Sequence, residues 1–183
     1  MRIILAGIVG GIAMFVWASI AHVATPLGAT GISTLPNEGE TLLSLNNLIG
    51  ENGGLYLFPS PPKTASQSQE PPAVGPAGLL VWRPRTVMAL TPSNLAAEFA
   101  TELAESLIAA FLLSWASVQG FVPRVGYVAL IGAAAAITTN VPYWNWYGFP
   151  TDYTLAYGSI EIVGYVVAGI AIALILPRRL AST

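Results

Sequence analysis

Residues 3–21 read IILAGIVGGIAMFVWASIA, with no charged side chain between Arg2 and His22. A helix rises about 1.5 Å per residue and a bilayer's hydrocarbon core is about 30 Å thick, so about 20 apolar residues cross it. This stretch meets that length, and the rest of the chain has the same character. Of 183 residues, 54% are hydrophobic and 9% are charged, whereas a soluble domain is roughly a quarter charged. The fold class expected is an all-α integral membrane protein.

Working outward, three further segments are apolar and long enough to span. The spans expected are about 3–22, 92–119, 125–141 and 153–176. Thr91-Pro92 reads as an N-cap followed by proline at the first helical position. Pro142 is expected to end the third span, and Pro177-Arg178-Arg179 the fourth. Residues 3–21 also resemble a secretory signal peptide, with Arg2 ahead of them and Ser19-Ile20-Ala21 as a small-x-small site. Their length favours an uncleaved anchor. The product is a four-transmembrane-helix bundle in one membrane domain.

Basic residues in short loops set orientation. With the N-terminus inside, Arg2, Arg124, Arg178 and Arg179 are all cytoplasmic, and the short outer loop 142–152 has no Lys or Arg. Lys63, Arg83 and Arg85 then fall in the long outer loop, residues 23–90, about a third of the chain. In that loop, Leu42, Leu45 and Ile49 recur at helical spacing within EGETLLSLNNLI (38–49), which predicts a short amphipathic helix. LYLF (55–58) and LLVWR (79–83) are strand candidates, and they would pair as a hairpin across the Pro/Ser/Gln tract 59–76. That tract's composition predicts mobility.

The chain has no cysteine and one histidine. These counts exclude disulfides, thiolate metal sites and a cysteine nucleophile. Seven basic residues, scattered, make no nucleic-acid footprint. There is no P-loop, G-x-S-x-G or H-E-x-x-H.

Ionisable groups inside spans are costly and point to function. Glu98, Glu102 and Glu105, spaced i, i+4, i+7, share one face of the second span. Counting inward from the outer boundary puts Glu102 roughly 5 Å deep, Glu105 roughly 9 Å and Glu161 of the fourth span roughly 6 Å. His22 ends the first span at the same level. His22, Glu98, Glu102, Glu105 and Glu161 therefore form a polar cluster in the outer third of the bilayer. Four readings stay open. The cluster binds a cation, moves protons, meets a partner, or is covered by Arg83 and Arg85 as salt bridges that pin the loop. Its spacing is no metal signature, since the di-iron bundle pattern needs Glu-x-x-His. Whether a metal is held is therefore open. A haem or pigment pocket with His22 as sole axial ligand is a further option, and no cofactor is required.

Tyr143, Trp144, Trp146, Tyr147 and Phe149 put five aromatics within seven residues, with Asn145 among them. Such side chains favour the membrane interface. The corner reads as an interface anchor, a cap over the acidic cluster, or a protein contact, with Asn145 bonding the outer loop. Gly7-x-x-x-Gly11 and Gly164-x-x-x-Ala168 are close-packing stripes, read as packing within the bundle before docking onto partners.

GGIAMFVWASIAH (10–22), PLGATGISTLPNE (26–38), GLYLFP (54–59), GPAGLLVW (75–82) and VPYWNWYGFPTDYTLA (141–156) resemble an uncharacterised family of bacterial four-span inner-membrane proteins. The resemblance covers most of the chain outside 59–76. It implies a bacterial inner membrane, a periplasmic loop and cytoplasmic termini, and assigns no functional residue. The function expected is a non-catalytic accessory or structural subunit of a larger membrane complex, or a homo-oligomer, with lipid as a further partner. The alternative is a cation- or proton-handling channel, transporter or metal enzyme using the glutamates.

Overall fold

A computed structural model describes residues 1–60, 75–85 and 90–176. Most of the Pro/Ser/Gln tract, Lys63 and Pro177-Arg178-Arg179 lie outside the described residues. The chain divides into two compact units, Met1–Ile32 with Leu90–Thr183, and Ser33–Ala89.

The larger unit is helical. It contains α1 (Arg2–Val23), a 3-10 turn (Pro26–Ala29), α3 (Pro92–Trp115), α4 (Phe121–Tyr147) and α5 (Thr151–Ile175), with α2 (Glu38–Ile49) belonging to the smaller unit. Among the described residues, three helices are long and apolar enough to cross a membrane: α1, α4 and α5. The helix α3 is as long, at 24 residues, but its three glutamates lower its hydropathy. Thr91 caps α3 as expected, its hydroxyl accepting from the Asn94 amide at 3.2 Å, with Pro92 following.

α1 packs against α3 on one side and α5 on the other, and α4 packs against α5. The core, with Ala6, Met14, Ala109, Leu113, Val128, Tyr165 and Ile172, follows these seams. Small residues set the spacing. A Cβ on Gly7 would stand 2.9 Å from the Leu107 Cα, and one on Gly11 2.8 Å from the Leu103 Cα, so α1 and α3 touch backbone to backbone. Gly169 meets Val128 of α4, and Gly164 meets Met14 and Trp17 of α1. Both stripes are thus used within the molecule.

At the end of the unit where α3 turns into α4, Arg124 is buried. Its Nε donates to the Val118 carbonyl at 3.1 Å and its Nη1 to the Leu176 carbonyl at 2.8 Å. The guanidinium thereby satisfies carbonyls at the exits of two helices, where the helix dipole favours a cation.

One boundary is corrected. Pro142 does not end the third long helix, because α4 runs through it to Tyr147. Proline lacks the amide donor and its ring crowds the carbonyl four residues back, which leaves the Thr138 carbonyl without its usual partner. Around it, the Thr138 and Asn140 side chains donate back to the carbonyls of Ala134 and Ala136. The stop is Gly148, left-handed at φ 71. The amides of Gly148 and Phe149 both reach the Tyr143 carbonyl, a pattern in which glycine avoids the Cβ clash.

In the smaller unit, α2 has the expected bounds. β1 (Gly54–Phe58) pairs antiparallel with β2 (Gly78–Trp82), Gly54 opposite Trp82. Trp82 Nε1 donates to the Gly50 carbonyl at 2.8 Å, tying the hairpin to the end of α2. Carrying the register three residues further sets Glu51 opposite Arg85, and the two form an ion pair at 2.7 Å. Arg85, which one of the four readings pairs with the span glutamates, takes a carboxylate from within its own unit. The hairpin register delivers Glu51 first.

Candidate functional site

The five ionisable residues singled out from the sequence line one cavity of about 270 Å³ in the larger unit. α3 supplies Glu98, Thr101, Glu102 and Glu105. α1 supplies Met14, Trp17, Ala18 and His22. Tyr157, Ile160, Glu161 and Gly164 come from α5, and Thr139 and Asn140 from α4. The cavity exists because α3 and α4 meet only slightly. They are joined by the short turn beside Arg124 and leave space toward their other ends.

The carboxylates sit in different surroundings. Glu98 is exposed, Glu105 and Glu161 are half-buried, and Glu102 is buried at 8% exposure. Glu161 is held across the α4–α5 seam, where its Oε2 accepts from Thr139 Oγ1 at 2.9 Å and Asn140 Nδ2 at 3.1 Å. Glu105 faces the Tyr165 hydroxyl. Glu102 differs, since its buried Oε2 makes no hydrogen bond among the described residues. One turn on, the buried Ser106 hydroxyl is likewise without a partner there. A buried polar atom left unpaired is costly, and a buried carboxylate more so.

Within the larger unit, no Lys or Arg among the described residues lines the cavity. The negative groups therefore repel one another when ionised, and a cation between them relieves that repulsion. No group of three or more His, Asp or Glu is gathered for metal ligation among the described residues. The donors surround a space and do not converge on a point.

His22 is exposed and ends α1. Its ring meets Tyr157 edge-on, with centroids 5.3 Å apart. Tyr157 donates to the Gly28 carbonyl at 3.0 Å, which folds the turn after α1 back onto α5. Trp17 Nε1 donates to the Ile160 carbonyl at 2.9 Å and fixes another stretch of wall.

The aromatic corner lies on the last turn of α4, with Tyr143, Trp144, Asn145, Trp146 and Tyr147 all exposed. From it a line of rings leads to the cavity. Tyr143 meets Phe149 at 5.3 Å, Phe149 meets Tyr153 at 5.4 Å, and Tyr153 stacks on Tyr157 at 4.1 Å.

The sequence reading missed Thr139 and Asn140 as partners of Glu161, and Trp17 and Tyr157 as walls. The Thr-Thr-Asn run that follows the alanine stretch of α4 was a usable signal, since apolar spans rarely carry three adjacent polar residues without cause. Trp17 and Tyr157 gave none, because aromatics are common near span ends.

Comparison of the chain with family models, curated proteins and solved structures gives no match. The residues themselves carry the functional reading.

Proposed function

We propose that this chain is a bacterial inner-membrane protein whose helices α1, α3, α4 and α5 all cross the bilayer, with both termini cytoplasmic, and that it binds a cation in its acid-lined cavity. One observation carries this reading: Glu102 is buried at the cavity wall with an Oε2 that is unpaired among the described residues, beside three further carboxylates. α3 counts as the fourth span because its glutamates turn toward this cavity, while Ile108, Phe111 and Trp115 of the same helix are exposed apolar surface, as a lipid-facing side requires. Intramembrane acids that face a cavity are the usual arrangement at cation paths and sites.

The test is thermal unfolding of the full chain in neutral detergent against a panel of inorganic and organic cations. A ligand that binds only the folded state raises the unfolding temperature with its concentration. At least one cation is expected to do so for the native chain, and to do so much less for Glu102→Gln. Equal behaviour of the two chains toward every cation would remove the reading.

A second reading, an accessory subunit of a larger complex, draws on the exposed aromatic corner. Trp146 is 77% and Trp144 45% exposed, and tryptophan is enriched in contact hot spots. Mild-detergent purification with mass spectrometry of co-purifying chains tests it. Stoichiometric larger companions that are lost on Trp146→Ala would favour it over a free-standing binding protein.

A further inference from the structure

A second cavity, of about 290 Å³, lies between α1 and the start of α3. It shares Ala18, His22 and Glu98 with the acid-lined cavity, and its other walls are Phe15, Ser19, Val23, Leu90, Asn94 and Leu95. One chamber is thus acidic, the next is mostly apolar, and a carboxylate and an imidazole stand at the junction.

We infer that the two cavities form one site for an amphipathic amine, with the ammonium held among the glutamates and an alkyl or aryl tail lodged in the apolar chamber. The inference rests on the cation reading above and names the chemical class of the cation. Each part follows from the structure. The acidic chamber, about 270 Å³, is far larger than a bare ion. Its carboxylates are spread over two helices and are not gathered as metal ligands. An ammonium group has three donors pointing in different directions, so it can reach carboxylates that do not converge, and Glu102 Oε2 is an acceptor without another partner among the described residues. The apolar chamber adds what an inorganic cation cannot use. Each buried CH₂ of a tail strengthens binding about fourfold.

The test is equilibrium binding of octylammonium, ethylammonium and octanol to the full chain in neutral detergent. Octylammonium is expected to bind saturably, one per chain, at least tenfold tighter than ethylammonium, with no saturable binding of octanol. Ser19→Phe fills the apolar chamber. It is expected to weaken octylammonium tenfold or more and leave ethylammonium unchanged. Should that variant not fold, Leu95→Trp blocks the same chamber from the opposite helix. Glu102→Gln is expected to weaken both amines. Equal affinity for the two amines, or blocked variants that bind octylammonium normally, would overturn the two-chamber site and leave the cation reading standing. Octanol binding as tightly as octylammonium would overturn it too. Unaltered binding of both amines to Glu102→Gln would overturn both readings together.

Discussion

Glu102 and Glu105 show why depth along a helix does not decide burial. Counting residues puts Glu105 deeper, yet Glu102 is the more buried. Its turn of α3 lies against Gly11, whose missing side chain brings the Glu102 backbone carbonyl within 3.3 Å of where a Cβ would stand. Azimuth around the helix, set by which neighbour is close, outweighs height. Arg124 teaches the same lesson. In the sequence it marks orientation only, whereas in the structure it holds two carbonyls from different segments. A buried acceptor stripped of its donor costs about 1–3 kcal/mol. Arg124→Met is therefore expected to lower the thermal unfolding midpoint in detergent by well over the scatter of surface variants. Arg124→Lys should restore part of it, since an ammonium lacks the planar fork that spans two acceptors. A midpoint unchanged in Arg124→Met would mean the clamp carries no stability.

At the scale of elements, packing and backbone conformation can be separated experimentally. Gly11 sits where a Cβ would strike the α3 backbone, which cannot step aside as a side chain can. Gly11→Ala forces α1 and α3 apart and is expected to cost about 1–3 kcal/mol, the usual range for overpacking. At Gly148 nothing lies within 4 Å of a new Cβ, so Gly148→Ala should cost only the left-handed backbone penalty, about 1–2 kcal/mol. Pro142→Ala returns the missing donor to α4 and is expected to stabilise it or leave it unchanged. A loss of helical circular dichroism in Pro142→Ala would show that the proline shapes α4 and is not merely tolerated by it. The hairpin, in contrast, needs little from its ion pair. Glu51 and Arg85 are mostly exposed, and such pairs contribute about 0–1 kcal/mol.

At the scale of the whole molecule, the number of crossings can be measured directly. The chain has no cysteine, so single introduced cysteines report topology without background. With four crossings, Ser44→Cys and Trp146→Cys should react with a membrane-impermeant maleimide on intact cells, and Ser117→Cys only after permeabilisation. If α3 lies on the surface instead, the three helices that are clearly apolar enough leave Ser117 and Trp146 on opposite sides still, but place Ser117 and Ser44 on the same one. Labelling of Ser117 in intact cells would therefore remove the four-span reading.

Much of the architecture is local and was legible in the chain. Long apolar runs mark α1, α4 and α5, because length against bilayer thickness needs no partner to evaluate. The Thr91 cap, the bounds of α2 and the two strands follow from short-range chemistry: a hydroxyl accepting from a first-turn amide, a 3.6-residue stripe, and apolar runs beside glycines. The same holds for the membership of the acidic cluster, since i, i+4, i+7 on one helix and a matching level on two others are one-dimensional facts. The tertiary structure alone decided how those groups differ. Glycine contacts pull α3 onto α1 and bury Glu102, while the Thr139 and Asn140 side chains occupy Glu161. The weak α3–α4 seam opens the cavity, and the hairpin register hands Arg85 to Glu51. Each of these depends on which surfaces meet, and periodicity along one helix carries no record of its neighbour.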